Sequence, residues 1–157
     1  MEFLSWLEGT WLAQAITTEA WMYPAFESMH YVGLAFLVGA IMLIDLRLLG
    51  FAKILPIRAM VGLLPWVWAG FVINVLSGTA MFVYGATSFG TNSSFWLKMT
   101  FMVLAGINAL IFTVAAARSG DRWIDTGQVP GFVKVVATAS LVLWLCVVTT
   151  GRWMAYV

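Results

Sequence analysis

Residues 24–50 read PAFESMHYVGLAFLVGAIMLIDLRLLG, and this stretch decides the fold class. A helix of about 20 mainly apolar residues crosses the hydrocarbon core of a bilayer, and this stretch exceeds that length. The whole sequence has the same character, because 62% of its residues are hydrophobic and 10% are charged. Soluble domains are closer to half apolar and about a quarter charged. The sequence therefore predicts an integral membrane protein embedded in a lipid bilayer.

Three further stretches are long enough to span, at about residues 60–84, 95–117 and 132–150. Residues 1–19, ahead of the first span, mix aromatic residues and leucines with glutamates and are too short to cross. We expect them to form a helix that lies in the membrane interface or packs across the end of the bundle. The sequence shows no internal repeat and no second domain. The predicted fold is all-α: one domain over residues 1–157, with four transmembrane helices and an N-terminal interfacial helix.

The charges of the connecting segments predict the orientation. Lysine and arginine concentrate between spans one and two and between spans three and four, whereas the connection between spans two and three is uncharged. The segment before the first span carries glutamates and no lysine or arginine. Because positively charged residues favour the cytoplasmic side, we expect both termini outside, in the inner (plasma) membrane of a bacterium. The net charge of +1 gives no indication of a nucleic-acid partner.

The chain has one histidine, His30, and it lies inside the first span. An ionisable side chain is costly to place in a membrane, so such a residue indicates a functional site. A neutral imidazole offers one nitrogen to a metal, and haem iron is a frequent acceptor. Gly33, about one turn further on, would leave room for a flat macrocycle against the helix. The alternative is a cofactor-free histidine hydrogen-bonded to a neighbouring helix or to Glu27.

Two cations are predicted near the level of His30, on the outer side. Lys98 opens the third span, where it either extends its ammonium to the headgroups or serves as a buried axial ligand or a partner of a haem propionate. Arg152 follows the fourth span, and a guanidinium is a natural partner for a carboxylate. Arg152 is therefore a second, weaker candidate for binding a propionate.

Nine methionines raise the alternative of copper, because thioether sulfur selects Cu(I). They are scattered along the sequence, and methionines in apolar helices usually serve packing. Met81 or Met102 is also a candidate second axial ligand of a haem. Motifs of the common enzymes are missing: there is no evident Ser-His-Asp set, phosphate-binding glycine loop or zinc motif.

Several short segments resemble a group of small four-span bacterial membrane proteins. That group includes the HemJ-type protoporphyrinogen oxidases, the CopD-type copper-resistance membrane domains and several uncharacterised families. The chain is most similar to one of the uncharacterised families, over most of residues 24–153. The segments that carry the resemblance are His30, Val38-Gly39, Asp45-Leu46-Arg47-Leu48, Leu64-Pro65-Trp66, Trp68-Ala69-Gly70-Phe71, Trp96-Leu97-Lys98-Met99, Asn108-Ala109-Leu110 and Gly151-Arg152.

The resemblance implies a haem b site. In HemJ-type proteins a histidine of the first span and a lysine opening the third are tied to haem b, and the matching positions here are His30 and Lys98. Close relatives often have a histidine after the Asn-Ala-Leu segment, where this chain has Ile111-Phe112-Thr113. With one histidine, the second axial ligand would be Lys98, a methionine, water, or His30 of a neighbouring protomer.

These observations predict a haem b-binding membrane protein that forms a homo-oligomer and transfers electrons at the outer leaflet, to or from an unidentified redox partner or a quinone. An oxidoreductase activity in the membrane is left open. Two alternatives remain: a cofactor-free membrane scaffold that binds a partner complex, and a copper-handling membrane protein.

Overall fold

The structure, a computed structural model, describes residues 2–119 and 122–156, leaving aside the side chains at 115–117, 119 and 122. Over these residues the chain is helical, with no strand. In chain order the helices are α1 (Glu2–Glu8), α2 (Trp11–Thr18), α3 (Met22–Leu49), α4 (Ile57–Val61), α5 (Leu64–Tyr84), α6 (Ala86–Thr91), α7 (Ser93–Ser119), α8 (Arg122–Thr126) and α9 (Gly131–Trp153).

Four apolar segments of this fold are long enough to cross a membrane, which confirms the predicted all-α, multi-pass architecture. They are Met22–Leu49, Ile57–Tyr84, Ser93–Val114 and Gly131–Trp153. Helix α3 has 28 residues, so at 1.5 Å per residue it is about 42 Å long and extends beyond a hydrocarbon core of about 30 Å. The second segment is interrupted after Val61 and resumes as α5, whose Pro65 lies in the first turn, where the missing N–H costs no helical hydrogen bond.

The N-terminal segment forms two short helices where the sequence predicted one. Glu8 ends α1, and its Oε1 atom accepts a hydrogen bond of 2.8 Å from the main-chain N–H of Thr87 in α6. The side chain of Leu4 packs onto Gly90, also in α6. Helix α2 packs mainly against α5. The segment therefore covers one end of the bundle with one face and exposes aromatic side chains on the other: Phe3, Trp6 and Trp11.

Helix α3 is the centre of the bundle, with its most extensive contact to α5 and a second contact to α9, which in turn packs along α7. Gly70 of α5 makes the first contact close: a Cβ atom there would lie 2.6 Å from both the Gly33 carbonyl oxygen and the Leu37 main-chain nitrogen. Small residues let membrane helices approach in this way. Helices α5 and α7 have no extensive contact with each other, so a gap separates them.

The two ends of the bundle differ. At the end near Asp45, a hydrophobic cluster fills the space between α3, α4, α8 and α9; its buried members are Ile44, Leu48, Ile57, Trp123, Val133 and Ala137. At the end near His30, the gap between α5 and α7 is not filled by such a cluster. We call these the Asp45 end and the His30 end.

Candidate functional site

A cavity of about 340 Å³ occupies the gap between α5 and α7 at the His30 end. Its walls come from both of these helices, from α3 and α9, and from Phe89 of α6. The polar members are His30, Asn74, Thr79 and Lys98; most of the others are apolar or aromatic. The structure thus brings His30 and Lys98, which are 68 positions apart in the sequence, to one cavity.

His30 reaches this cavity with one ring nitrogen already bonded. Its Nδ1 atom lies 3.0 Å from Oγ of Ser77, a fully buried residue of α5. The Ser77 hydroxyl donates its single proton to the Ile73 carbonyl oxygen, 2.6 Å away. Toward the imidazole, Ser77 can then act only as an acceptor, so Nδ1 carries the hydrogen and donates it. The main chain of Asn74 also interacts with the imidazole.

The second ring nitrogen of His30, Nε2, keeps its lone pair in this tautomer. Within residues 2–119 and 122–156 it has no hydrogen-bond partner. Gly78 makes room for the ring, because a Cβ atom there would lie 3.3 Å from Cε1 of the imidazole. Glu27, the alternative partner considered from the sequence, instead accepts a hydrogen bond of 3.3 Å from the Tyr31 hydroxyl. A histidine held at Nδ1 with a bare Nε2 is arranged as metal-binding histidines are.

Lys98 lines the cavity from α7 and is half-buried. Its side chain passes Gly151 of α9, where a Cβ atom would lie 3.5 Å from Cδ and Cε and 3.6 Å from Nζ. In the part of the chain that the structure describes, the ammonium has no hydrogen bond or ion pair, and it interacts electrostatically with His30. The cavity therefore contains a lysine without an anionic partner, close enough to the imidazole for the two to influence each other.

Four of the nine methionines line the same cavity: Met81, Met99, Met102 and Met154. Met81 and Met102 were candidates from the sequence, whereas Met99 and Met154 were not. Residues spaced three or four positions apart share one face of a helix. This spacing relates Met99 to Phe95 and Met102, and Met102 to Lys98, so Met99 could have been predicted to line the same site as Lys98. No comparable signal exists for Met154, which follows the end of α9 and joins the cavity through the tertiary fold.

Two predicted site residues lie elsewhere. A Cβ atom on Gly33 would lie 2.6 Å from Asn74 Nδ2 and 2.7 Å from Ile73 Cγ2, so α5 covers the surface that was expected to be free for a macrocycle. Arg152 is exposed and donates a hydrogen bond of 2.8 Å to the Tyr156 hydroxyl. Its guanidinium carbon also lies 5.2 Å from the centre of that ring. Neither Gly33 nor Arg152 lines the cavity.

Three aromatic rings cluster beside the cavity at the His30 end. Phe82 of α5 and Phe95 of α7 stack with their centres 5.1 Å apart, and Phe89 of α6 lies 6.1 Å from Phe95. Offset and tilted ring pairs of this kind are stabilising. The cluster connects α5 to α7 at this end and gives the cavity an apolar wall.

The metal ligands available to this cavity are limited. Among the described residues, no group of three or more histidine, cysteine, aspartate or glutamate side chains is placed to hold a metal ion. A metal bound here would therefore depend on His30 together with a macrocycle or with thioether sulfurs.

The chain was compared with protein families, curated proteins and solved structures. The model of a family described as "Family of unknown function (DUF6644)" matches residues 3–157. No curated protein and no solved structure matches the chain. The prediction of an uncharacterised family is thus confirmed, while no comparison links the chain to the HemJ-type or CopD-type proteins.

Proposed function

The chain belongs to DUF6644, a family of unknown function, and from that premise we propose that it is a haem b-binding membrane protein with His30 as an axial ligand. One observation carries the proposal. Ser77 holds the Nδ1 atom of His30, whereas Nε2 has no partner in the described part of the chain. His30 also lines an apolar cavity. Ser77 would orient the ring and increase the basicity of Nε2, as outer-shell partners of metal-binding histidines do.

The residues of the cavity fit such a group in three respects. Its volume of about 340 Å³ falls within the range of roughly 300–1,000 Å³ typical of ligand and cofactor pockets. Its walls are rich in aromatic and aliphatic side chains, which suits a largely apolar macrocycle. Lys98 supplies a cation without an anionic partner in the described chain, which suits a carboxylate such as a propionate. When bound, haem supplies one-electron redox chemistry, and the protein controls its ligation and burial.

The second axial position has candidates within one protomer. Lys98, Met81 and Met102 line the same cavity as His30. A ligand from a neighbouring protomer is therefore not needed to complete the coordination, and the homo-oligomer remains a separate part of the proposal. If Lys98 is the second ligand, its charge is not available to a propionate, so the two roles of this residue are alternatives.

The membrane setting is also part of the proposal. Cations gather at the Asp45 end, where Arg47, Lys53 and Lys134 line one pocket, and this supports a cytoplasmic location for that end. Both termini and the His30 cavity would then lie on the outer side of a bacterial inner membrane, with α1 and α2 at the interface. Electrons would pass at the outer leaflet, to or from a redox partner or a quinone.

The methionines support a second candidate function, the handling of Cu(I). Met81, Met99, Met102 and Met154 line the cavity together with His30, although the methionines are scattered along the sequence. Thioether and imidazole ligands suit Cu(I), and this site needs no macrocycle.

One experiment distinguishes these functions from a cofactor-free scaffold. The protein is purified from cells supplied with copper and a haem precursor, and its visible spectrum and metal content are measured. Haem binding is supported if the wild type shows a Soret band that is lost in His30→Ala and kept in Met29→Ala. Met29 serves as the control because it is exposed, lies next to His30 and does not line the cavity. Bound copper without a Soret band, reduced in Met81→Leu/Met102→Leu but not in Met42→Leu/Met60→Leu, supports copper. A colourless, metal-free wild-type protein would refute both haem binding and copper handling, and the cofactor-free scaffold would remain as the alternative.

A further inference from the structure

A second cavity, of about 560 Å³, lies at the Asp45 end, far from His30 along α3. It is formed where α3 ends, where the following loop turns back, and where the chain enters α9. Three cations line it, Arg47, Lys53 and Lys134, and none of its lining residues is acidic. The proposed function uses none of these side chains.

Arg47 is the fixed part of this pocket, since the residue is only 9% exposed. Its guanidinium donates hydrogen bonds to the main-chain carbonyls of Leu55 and Lys53, which hold it in place. In the described chain it has no carboxylate partner; Asp45, two positions earlier, interacts with Ser140 instead. A charge this deeply buried is costly unless an opposite charge compensates it, so the pocket is suited to an anion that is not part of the chain.

The opposite wall has the same electrostatic sign. Helix α9 begins at Gly131, and its N-terminus carries the partial positive charge of the helix dipole. Lys134 lies in the first turn of this helix, where a cation is normally unfavourable for the same reason. A bound anion would compensate both the lysine and the helix terminus, and helix N-termini commonly bind phosphate groups.

The surroundings of the pocket are those of a membrane surface. The loop that carries Lys53 also exposes the apolar side chains of Phe51, Ile54 and Leu55, and Ile54 is 93% exposed. Apolar side chains next to cations match the boundary between acyl chains and headgroups. Basic pockets between transmembrane helices bind the headgroups of anionic lipids.

We propose that this pocket binds the phosphate group of an anionic phospholipid. Arg47 would form the central contact, because a guanidinium can bind phosphate with two parallel hydrogen bonds. Lys53, in the loop, and Lys134, in α9, would contact the same phosphate. The apolar side chains of the loop would contact the acyl chains.

The test is a binding titration of the full chain in detergent, followed by native mass spectrometry. Phosphatidylglycerol is the probe, phosphatidylcholine is the zwitterionic comparison, and inorganic phosphate and glycerol 3-phosphate are the soluble phosphates. The test variant is Lys53→Gln/Lys134→Gln, in which both replaced side chains are exposed. The control, Arg58→Gln/Arg118→Gln, removes the same charge near the same end of the bundle from residues that do not line the pocket. Lys53→Arg/Lys134→Arg restores the charge.

Each cation near an anionic lipid is expected to contribute about fivefold in affinity, so the test variant should bind phosphatidylglycerol about 25-fold more weakly. The control and the arginine variant should bind it as the wild type does, and phosphatidylcholine should bind weakly throughout. Equal losses in the test and control variants would refute a site at this pocket. Tight binding of the soluble phosphates, in competition with phosphatidylglycerol, would refute the lipid as its occupant, as would equal affinity for phosphatidylcholine.

Discussion

The close contact between α3 and α5 yields the sharpest prediction of stability, through the substitution Gly70→Ala. The added Cβ would lie 2.6 Å from the Gly33 carbonyl oxygen and 2.6 Å from the Leu37 main-chain nitrogen. Cβ atoms in proteins essentially never lie within 3.0 Å of a non-bonded neighbour of this kind, so the helices must separate by at least 0.4 Å. Both neighbours are main-chain atoms, so no side-chain rotation can relieve the overlap. Overpacking of this kind costs about 1–3 kcal/mol of unfolding free energy.

The assay is thermal unfolding of the purified protein in one detergent, followed by circular dichroism. For a chain of this length, 1 kcal/mol corresponds to about 2–4 °C, so Gly70→Ala should lower Tm by roughly 2–12 °C. The matched control is Gly39→Ala on α3, where an added Cβ has no neighbour within 4 Å. The control is expected to leave Tm unchanged or to raise it slightly, because alanine favours the helix. A Gly70→Ala protein as stable as the Gly39→Ala protein would refute the account of the α3–α5 contact.

Three further substitutions test other contacts. Ser77→Ala removes the acceptor that holds His30; for the proposed haem site, it is expected to weaken haem affinity by about 10–100-fold, measured by titration of the purified protein with haem. Asn108→Leu removes a hydrogen bond of 3.1 Å to a main-chain carbonyl of α9 and is expected to cost about 0.6 kcal/mol, measured by thermal unfolding. Glu8→Ala removes the acceptor of the Thr87 N–H and is expected to speed hydrogen exchange over α1 with little change in Tm, because the ends of a fold open locally.

Each of these substitutions has a control of the same chemistry. Ser28→Ala removes an exposed hydroxyl from α3 and should leave haem affinity unchanged. Thr113→Val removes a hydrogen bond made within α7 itself, so it should not weaken the contact between α7 and α9. Glu2→Ala removes an exposed carboxylate from α1 and should not speed exchange there. Equal effects in a test variant and its control would contradict the corresponding contact.

Hydropathy alone predicted the class of fold, because crossing a bilayer requires long apolar helices regardless of how they pack. It did not predict the break between α1 and α2, which depends on contacts such as that of Glu8 with α6. The spans also begin and end a few residues from their predicted limits: α3 begins at Met22, where we expected residue 24. Such limits depend on local capping and packing, which hydropathy does not measure.

The site was predictable only where the cost of burial marks a residue. His30 and Lys98 stand out in an apolar chain, and both line the cavity. Gly33 was assigned to the wrong surface, because a sequence does not reveal which helix covers a given face; here α5 does. The role of Ser77, which sets the tautomer of His30, could not be predicted, because the two residues are 47 positions apart in the sequence.

Apart from the stack of Phe82 on Phe95 at the His30 end, α5 and α7 have no extensive contact in the described chain, and this has a consequence for how a molecule reaches the cavity. Apolar side chains are exposed on both helices, for example Leu76 of α5 and Val103 of α7. In a membrane these side chains would face hydrocarbon, so a molecule passing between the helices would need no transfer through water. For a molecule that takes this path, the concentration that governs binding is its concentration in the lipid. Lipid–water partition then raises the apparent affinity of hydrophobic molecules, and measured affinities will vary with the amount of lipid or detergent present.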